Sequence, residues 1–202
     1  MKKIFLVAFL LCSVMTFAQY RWEVSGGPTF STLNLDGADT SSGTGFYFNA
    51  GYGYVTGVRA KTSFVFSLDF LQRKSEIESG IVGVPSLEFK ATQVGFNPKF
   101  RFLFNSGKDR FRPFINVGPT FRLNLKVEAG DEELESGEDY EQLVIGGVYG
   151  VGFSQMIGEM FDIMAEFGVM NDFTDNLVDV ESKFFDVYAR VGVRFRIYDA
   201  RR

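Results

Sequence analysis

The sequence predicts an all-β fold, an eight-stranded antiparallel up-and-down transmembrane β-barrel. Three observations point to it. The 202 residues include 24 Phe and 22 Gly, apolar residues recur at every second position, and long and short connections alternate along the chain. The segment 184–197 is the clearest example, because one parity is apolar and the other mostly charged over far more than the roughly 5 to 6 residues of an average strand.

The N-terminal segment predicts export. Lysines precede an apolar run, and Thr16-Phe17-Ala18 is a small-x-small cleavage site. We therefore predict a signal peptide over 1–18 and one outer-membrane β-barrel domain over 19–202. An uncleaved anchor is the alternative, although the apolar run is shorter than the roughly 20 residues of a membrane helix. Cys12 is the only cysteine, so the mature chain can form no disulfide.

The first half of the mature chain predicts four strands with alternating faces, at 21–34, 46–55, 63–73 and 87–104. Residues 35–45 are rich in Gly, Ser, Asp and Thr and are expected to form a loop. In the fourth strand, Phe89 and Ala91 have the opposite parity to the later aromatic residues. We expect a bulge near Thr92-Gln93 to bring both sets to the outward face, because one extra residue switches faces.

The second half predicts four more strands, at 111–126, 142–154, 161–171 and 184–197. The acidic connection 127–141 is expected to be a solvated surface loop. Divalent-cation binding is the alternative, because hard cations prefer carboxylate oxygens, but the spacing does not follow the EF-hand pattern. An even strand count places both termini on one side, which for an outer-membrane barrel is the periplasm.

Charged residues of the predicted strands collect on the inward parity, and the outward parity of the strand centres has none. Eight strands leave an interior that side chains just fill, so we predict a structural network of nearly matched charges. An ion or substrate pathway is the alternative. The predicted network comprises Glu23, Asp69, Arg73, Lys99, Arg101, Arg122, Asp162, Glu166, Asp186, Arg190, Arg194 and Arg196.

Composition restricts the function classes. The chain contains no His, the usual general base at neutral pH, so no enzyme activity and no catalytic residue are expected. The net charge of −4 argues against nucleic-acid binding, and no cofactor or metal site is predicted. A structural or interaction barrel with surface loops as contact sites is favoured. A narrow channel or small-ligand carrier is the alternative.

Several motifs carry a family resemblance. Arg190, Gly192, Phe195 and Ile197 resemble the C-terminal signal by which the barrel-assembly machinery recognises its substrates. Together with Gly26-Gly27-Pro28, the whole pattern resembles the small PorT-like outer-membrane barrels of Bacteroidota and, more distantly, barrels of the OmpA and OmpX type. The resemblance implies location in the cell outer membrane, contact with its lipid and lipopolysaccharide, and the assembly machinery as a partner during biogenesis. It does not identify a protein partner.

Overall fold

The computed structural model describes residues 19–56, 61–78, 86–105, 109–158 and 160–196. The predicted signal peptide, residues 1–18, lies outside the described residues. No helix of membrane-spanning length and hydropathy occurs among the described residues.

The described residues form nine β-strands. Their bounds are β1 Gln19–Leu35, β2 Thr40–Thr56, β3 Thr62–Ile77, β4 Leu87–Leu103, β5 Phe111–Ala129, β6 Glu132–Glu133, β7 Leu143–Ile157, β8 Phe161–Asp172 and β9 Ser182–Arg196. Eight of them pair antiparallel with their neighbours, and β9 returns to β1. The short β6 pairs only with the end of β5. The predicted eight-stranded antiparallel barrel is therefore confirmed.

The predicted division into two faces is also confirmed. Arg21, Glu23 and Ser25 of β1 are buried, whereas Trp22 and Val24 between them are exposed. The other barrel strands alternate in the same way, so polar side chains fill the interior and apolar ones cover the outer wall. This arrangement is the reverse of a soluble β-protein and matches a strand set surrounded by hydrocarbon.

The strands extend further at one end of the barrel than the sequence predicts. We call the end with the connections 57–61, 104–110 and 158–160 the turn end, and the opposite end the loop end. The predicted loop 35–45 is wrong, because β2 begins at Thr40 and its partner β1 runs to Leu35. Polar residues fit this hairpin because it projects beyond the apolar wall, where both faces can meet water or other polar groups.

The predicted bulge is placed on the wrong strand. β4 alternates without interruption from Phe89 to Leu103, and Phe89 and Ala91 point inward. The register between β4 and β5 does shift at Thr92/Gln93, but the extra residue belongs to β5, where Leu125 and the next residue both face outward. The apolar residues at the start of β4 are inward because they contribute to an interior apolar cluster instead of the outer wall.

Two further connections differ from expectation. Ser154 does not end its strand, because β7 continues to Ile157 and turns at Gly158, whose φ of 74° favours glycine. The acidic connection is partly ordered: β6 pairs with β5, and Tyr140 is buried. The expectation of a wholly solvated loop is therefore wrong for this residue, because its aromatic ring joins the apolar cluster at the loop end.

Candidate functional site

The barrel interior brings the predicted charged residues together. Every predicted member whose side chain is described is buried. Arg196 lies in β9 opposite Arg21, but its side chain lies outside the described part of the structure. The buried charged residues, as far as described, comprise eight cationic and six anionic side chains, the same excess of two cations as in the predicted set.

The loop-end cluster is built around Arg73 of β3. Its Nη1 donates to Asp172 Oδ2 at 2.7 Å, and its Nη2 donates to Asp186 Oδ2 at 2.6 Å. Arg122 reaches the same Asp172 at 3.4 Å and approaches Asp69 at 3.9 Å. Two arginines thus face three carboxylates, and these residues come from four different strands, so the cluster ties the barrel wall together across its interior.

The central cluster is built around Glu166 of β8. Its carboxylate accepts hydrogen bonds from Arg190 Nη2, Tyr188 Oη and Asn116 Nδ2, each at 2.6 Å. The Arg190 guanidinium also lies 5.5 Å from the ring centroid of Tyr47. The carboxylate is held from three directions, so its charge is matched and its orientation is fixed.

Lys99 lies in the interior as predicted, but among the described residues its ammonium group is not hydrogen-bonded to the charged clusters. Its side chain is 1% exposed, yet its Nζ has no hydrogen-bond partner among the described residues. The ammonium is therefore a buried donor at the middle of β4 with no ion pair within 4.0 Å in the described part of the chain.

The turn-end cluster contains two carboxylates. Glu23 accepts a bidentate pair from Arg101, with Nη1 at 2.6 Å and Nη2 at 3.2 Å, and Arg194 Nε lies 3.4 Å from the same carboxylate. Asp162 pairs with Arg112, and its Oδ2 also lies 3.6 Å from Arg21 and 3.9 Å from Arg194. The guanidinium groups of Arg101 and Arg194 lie 4.5 Å and 5.9 Å from the Phe114 ring.

The sequence prediction missed three members of these clusters, namely Arg21, Arg112 and Asp172. Parity could have found them, because Arg21 shares the parity of Glu23, and Asp172 shares that of Glu166. Arg21 and Arg112 lie at the very start of predicted strands, and Asp172 lies just beyond the end of another.

Apolar clusters close the interior between and beyond the charged groups. Leu103, Phe114 and Met164 lie together at the turn end, and Tyr47, Leu71, Val148, Met170 and Tyr188 lie together near the middle. Leu33, Phe89, Ala91, Val127, Tyr140 and Phe184 form the cluster at the loop end. Side chains therefore occupy the described interior at every level.

The loop-end connections form an ordered cap, which we define as residues 130–142 and 173–181. Its two segments are joined by backbone hydrogen bonds from Glu141 to Asn176 at 3.0 Å and from Val178 to Asp139 at 3.1 Å. The outer surface of the cap is acidic, with exposed Asp131, Glu132, Glu133, Glu135, Glu138, Asp139, Glu141, Asp179 and Glu181. No group of three or more acidic, His or Cys side chains is arranged to hold a metal ion in the described residues.

A charged belt lies on the outward face of β3, β4 and β5, just above the apolar wall on the loop-end side. Lys74 and Lys90 are directly opposite each other and share Glu88, at 3.2 Å and 2.8 Å. These two ammonium groups lower the pKa of Glu88, mainly through the hydrogen bond from Lys90. Lys126 pairs with Glu128 at 2.6 Å. We call these five residues the lysine belt.

The predicted assembly signal is only partly described. Arg190 points inward to Glu166, and Gly192 is opposite Ser25 of β1. The Phe195 ring packs on Phe161 at 5.3 Å on the outer wall. Ile197 lies outside the described residues. Recognition by the assembly machinery remains a prediction.

The family comparison agrees with this architecture. The outer membrane protein beta-barrel domain family matches residues 4–195. This chain belongs to that family. Its location is therefore the outer membrane. No curated protein sequence matches the chain.

Solved structures show the same fold at low sequence identity. Neisserial surface protein A is 18% identical over 87% of this chain and 97% of its own, with a TM-score of 0.53. The outer membrane protein OprG of Pseudomonas aeruginosa is 15% identical over 90% of this chain and 97% of its own, with a TM-score of 0.51. These similarities concern the fold of the barrel.

Proposed function

We propose that this protein is a closed outer-membrane barrel whose role is to hold a rigid, acidic cap at the cell surface. The single observation that carries the proposal is the occupied interior. Charged clusters and apolar clusters alternate from Leu103 at the turn end to Phe89 at the loop end. Such an interior supports a structural or interaction role and disfavours continuous passage of solutes. No enzymatic step is part of the proposal.

Conductance of the refolded mature protein in a planar bilayer tests whether the barrel is closed. We expect no reproducible conductance step, because solute passage would require the Arg73–Asp172 and Arg101–Glu23 pairs to separate. A porin of known conductance in the same membrane serves as the detection control. A reproducible step of defined size would establish the alternative, a narrow channel or small-ligand carrier.

The proposed lipid partner is lipopolysaccharide, in addition to the acyl chains around the wall. The lysine belt supports this proposal because Lys74, Lys90 and Lys126 lie on adjacent strands directly above exposed apolar residues such as Phe70 and Val94. Exposed ion pairs contribute little to stability. The ammonium groups can therefore exchange a glutamate for a lipid phosphate at small cost.

Binding of lipopolysaccharide is tested by comparing the native protein with a variant in which Lys74, Lys90 and Lys126 are replaced by Ser. We expect the variant to fold normally in detergent but to lose the increase in thermal stability that added lipopolysaccharide gives the native protein. Lys183→Ser, at the edge of the cap, is the matched control. If lipopolysaccharide raised the thermal stability of all three proteins equally, the lysine belt would not be its contact site.

The narrower family assignment and the protein partner belong to the same proposal. Membership of the PorT-like group rests on Gly26-Gly27-Pro28 and on Arg112-Pro113-Phe114, and it stays a prediction. The exposed carboxylates of the cap favour a partner with a basic surface. Cross-linking in intact outer membranes followed by purification would identify such a partner, and loss of the cross-link on replacing cap carboxylates by amides would assign it to this surface.

A further inference from the structure

The outer wall carries a groove on the side formed by β5, β7, β8, β9 and β1, which we call the wall groove. Its volume is about 660 Å³, and its lining includes the small residues Gly26, Ala165 and Ala189 and the rings of Phe153 and Phe167. Small side chains end close to the backbone, whereas rings extend further from it. The small residues therefore form the floor of the wall groove, and the rings form its sides.

The register of the strands gives the direction and size of the wall groove. One row of directly paired residues crosses it, namely Pro113, Phe153, Ala165, Val191 and Gly26. Neighbouring strands are about 4.8 Å apart, so this row across five strands is roughly 19 Å long. A second row, which includes Phe167 and Ala189, lies two residues nearer the loop end, at a distance of roughly 7 Å. The wall groove is therefore long and narrow.

The wall groove rises from the turn end to the middle of the barrel. Pro113 is close to the start of β5, where the exposed Arg110 is followed by the outward ring of Phe111. Gly26 lies near the middle of β1. The path is inclined because the strands of such barrels are tilted by about 35–45°. It begins at the polar boundary of the wall and ends half-way across, so it spans the depth of one leaflet.

The size and chemistry of the wall groove select its occupant. A transmembrane helix is about 10–12 Å in diameter, which is too wide. A second copy of the chain would need about 800 Å² of contact on each partner, several times a footprint of roughly 19 by 7 Å. The two charged residues of the described lining, Glu166 and Arg190, pair with each other in the interior at 2.6 Å. An apolar, flexible acyl chain fits these conditions, and the surrounding wall already faces hydrocarbon.

We propose that the wall groove binds one acyl chain of a phospholipid from the leaflet at the turn end, and that Arg110 pairs with the phosphate of the same lipid. A chain in the recess gains contacts along the floor and sides that a chain on a convex wall lacks. A guanidinium group is a strong partner for phosphate, and Arg110 lies where the wall groove meets the boundary of the wall. The lysine belt lies toward the opposite end, so this site is separate from the proposed lipopolysaccharide contact.

Retention of lipid by the mature barrel tests the proposal. The protein is refolded in vesicles of phosphatidylglycerol, extracted into mild detergent and weighed by native mass spectrometry. We expect the native barrel to retain one phosphatidylglycerol molecule. Ala165→Phe and Ala189→Phe should each retain about tenfold less, because the added ring occupies the floor of the wall groove. Val169→Phe, an outward change on the same strand as Ala165 but outside the wall groove, should retain as much as the native barrel.

Three results would overturn the proposal. One is a native barrel without bound phospholipid, or equal retention by the native, Ala165→Phe and Val169→Phe proteins, each shown to be folded by its heat-modifiable gel mobility. Another is a dimer that Ala165→Phe dissociates, which would assign the wall groove to a second copy of the chain. The third is retention of lipopolysaccharide in place of phosphatidylglycerol from vesicles that contain both, lost in Ala165→Phe.

A further variant separates the phosphate from the acyl chain. Arg110→Gln should retain about two- to fivefold less phosphatidylglycerol, the range of an exposed charge pair. It should retain as much diacylglycerol as the native barrel, because diacylglycerol has acyl chains and no phosphate. Lys126→Gln, in the lysine belt, is the matched control and should leave both values unchanged. Equal retention of phosphatidylglycerol by these two variants would overturn the assignment of the phosphate to Arg110.

Discussion

At the scale of single residues, the interior depends on shared arginines. Arg73 neutralises both Asp172 and Asp186, and Arg194 lies between Glu23 and Asp162. Removing one partner from a buried ion pair leaves an uncompensated charge, which is more costly than the pair itself is favourable. Individual residues of the network therefore affect stability far more than exposed pairs at the cap do.

Replacing Arg73 by Met tests this point. The variant leaves two carboxylates buried close together, and we expect a loss of roughly 3 to 5 kcal/mol in the free energy of unfolding. Urea titration in detergent, followed by the fluorescence of Trp22, the only tryptophan, measures it. Lys183→Met removes an exposed pair and should leave the titration unchanged. Equal effects of the two substitutions would contradict the assigned role of Arg73.

The interior has little free volume around its charged side chains. A Cβ atom at Gly150 would lie 2.5 Å from Glu166 Oε1 and 2.7 Å from Tyr188 Oη. Glycine at this position therefore makes room for the central cluster. Ala at the same position forces the carboxylate and the phenol to move.

We expect Gly150→Ala to lower the free energy of unfolding by about 1 to 3 kcal/mol, the usual cost of overpacking. The same urea titration measures the change. Gly53→Ala is the matched control, because the added methyl group meets only ordinary contacts there. If both alanine variants proved equally stable, the central cluster would have to be more adaptable than its hydrogen bonds indicate.

At the scale of secondary-structure elements, the bulge in β5 decides which side chains face inward near the loop end. Asn124 is inward, Leu125 and Lys126 are both outward, and Val127 is inward again. The extra residue therefore lets Lys126 join the lysine belt while Val127 joins the apolar cluster at the loop end. Bulges often re-aim side chains in this way.

Deleting Leu125 should be tolerated, because strict alternation then keeps Asn124 and Val127 inward and Lys126 outward. Deleting Phe121 should not be tolerated. This deletion turns Arg122 toward lipid, which costs about 2 to 4 kcal/mol near the middle of the membrane. The heat-modifiable shift in gel mobility reports the folded fraction of each variant. A folded fraction for the Leu125 deletion as low as that for the Phe121 deletion would show that the bulge itself is essential.

At the scale of the whole molecule, the cap and the barrel form one structure. The interior of the barrel continues into the apolar cluster at the loop end, where Tyr140 from the acidic connection packs with Leu33 and Phe184. Hydrogen bonds from Asn176 to Asp172 and to Ser182 tie the other cap segment to β8 and β9. The cap therefore presents its carboxylates from a fixed scaffold, which suits a contact surface.

Tyr140→Ala should release the acidic connection. The substitution removes a buried ring, and we expect cleavage by a glutamate-specific protease within residues 130–142 to become at least tenfold faster, while the barrel itself stays folded. Intact and cleaved chains are separated by gel electrophoresis. Ser136→Ala, an exposed change in the same connection that removes no glutamate, is the control. Unchanged protection in Tyr140→Ala would mean that the connection is held by its backbone bonds alone.

The sequence by itself determined the number of barrel strands and the face of nearly every strand residue, because a strand repeats every two residues and its two sides meet different surroundings. Glu23, Asp162 and Arg194 could be placed in the interior on parity alone. The composition and the leader pattern also directed the interpretation toward the outer membrane.

Only the tertiary structure decided which of these residues meet. Glu23 and Arg101 are 78 positions apart in the chain, and their contact depends on the register of each strand against the next around a closed barrel. Parity gives the face of a side chain but neither its height in the barrel nor its angle around the axis. For the same reason the sequence placed the bulge on β4 instead of β5, ended β1 one residue early, began β2 at 46 instead of Thr40, and left Tyr140 in solvent.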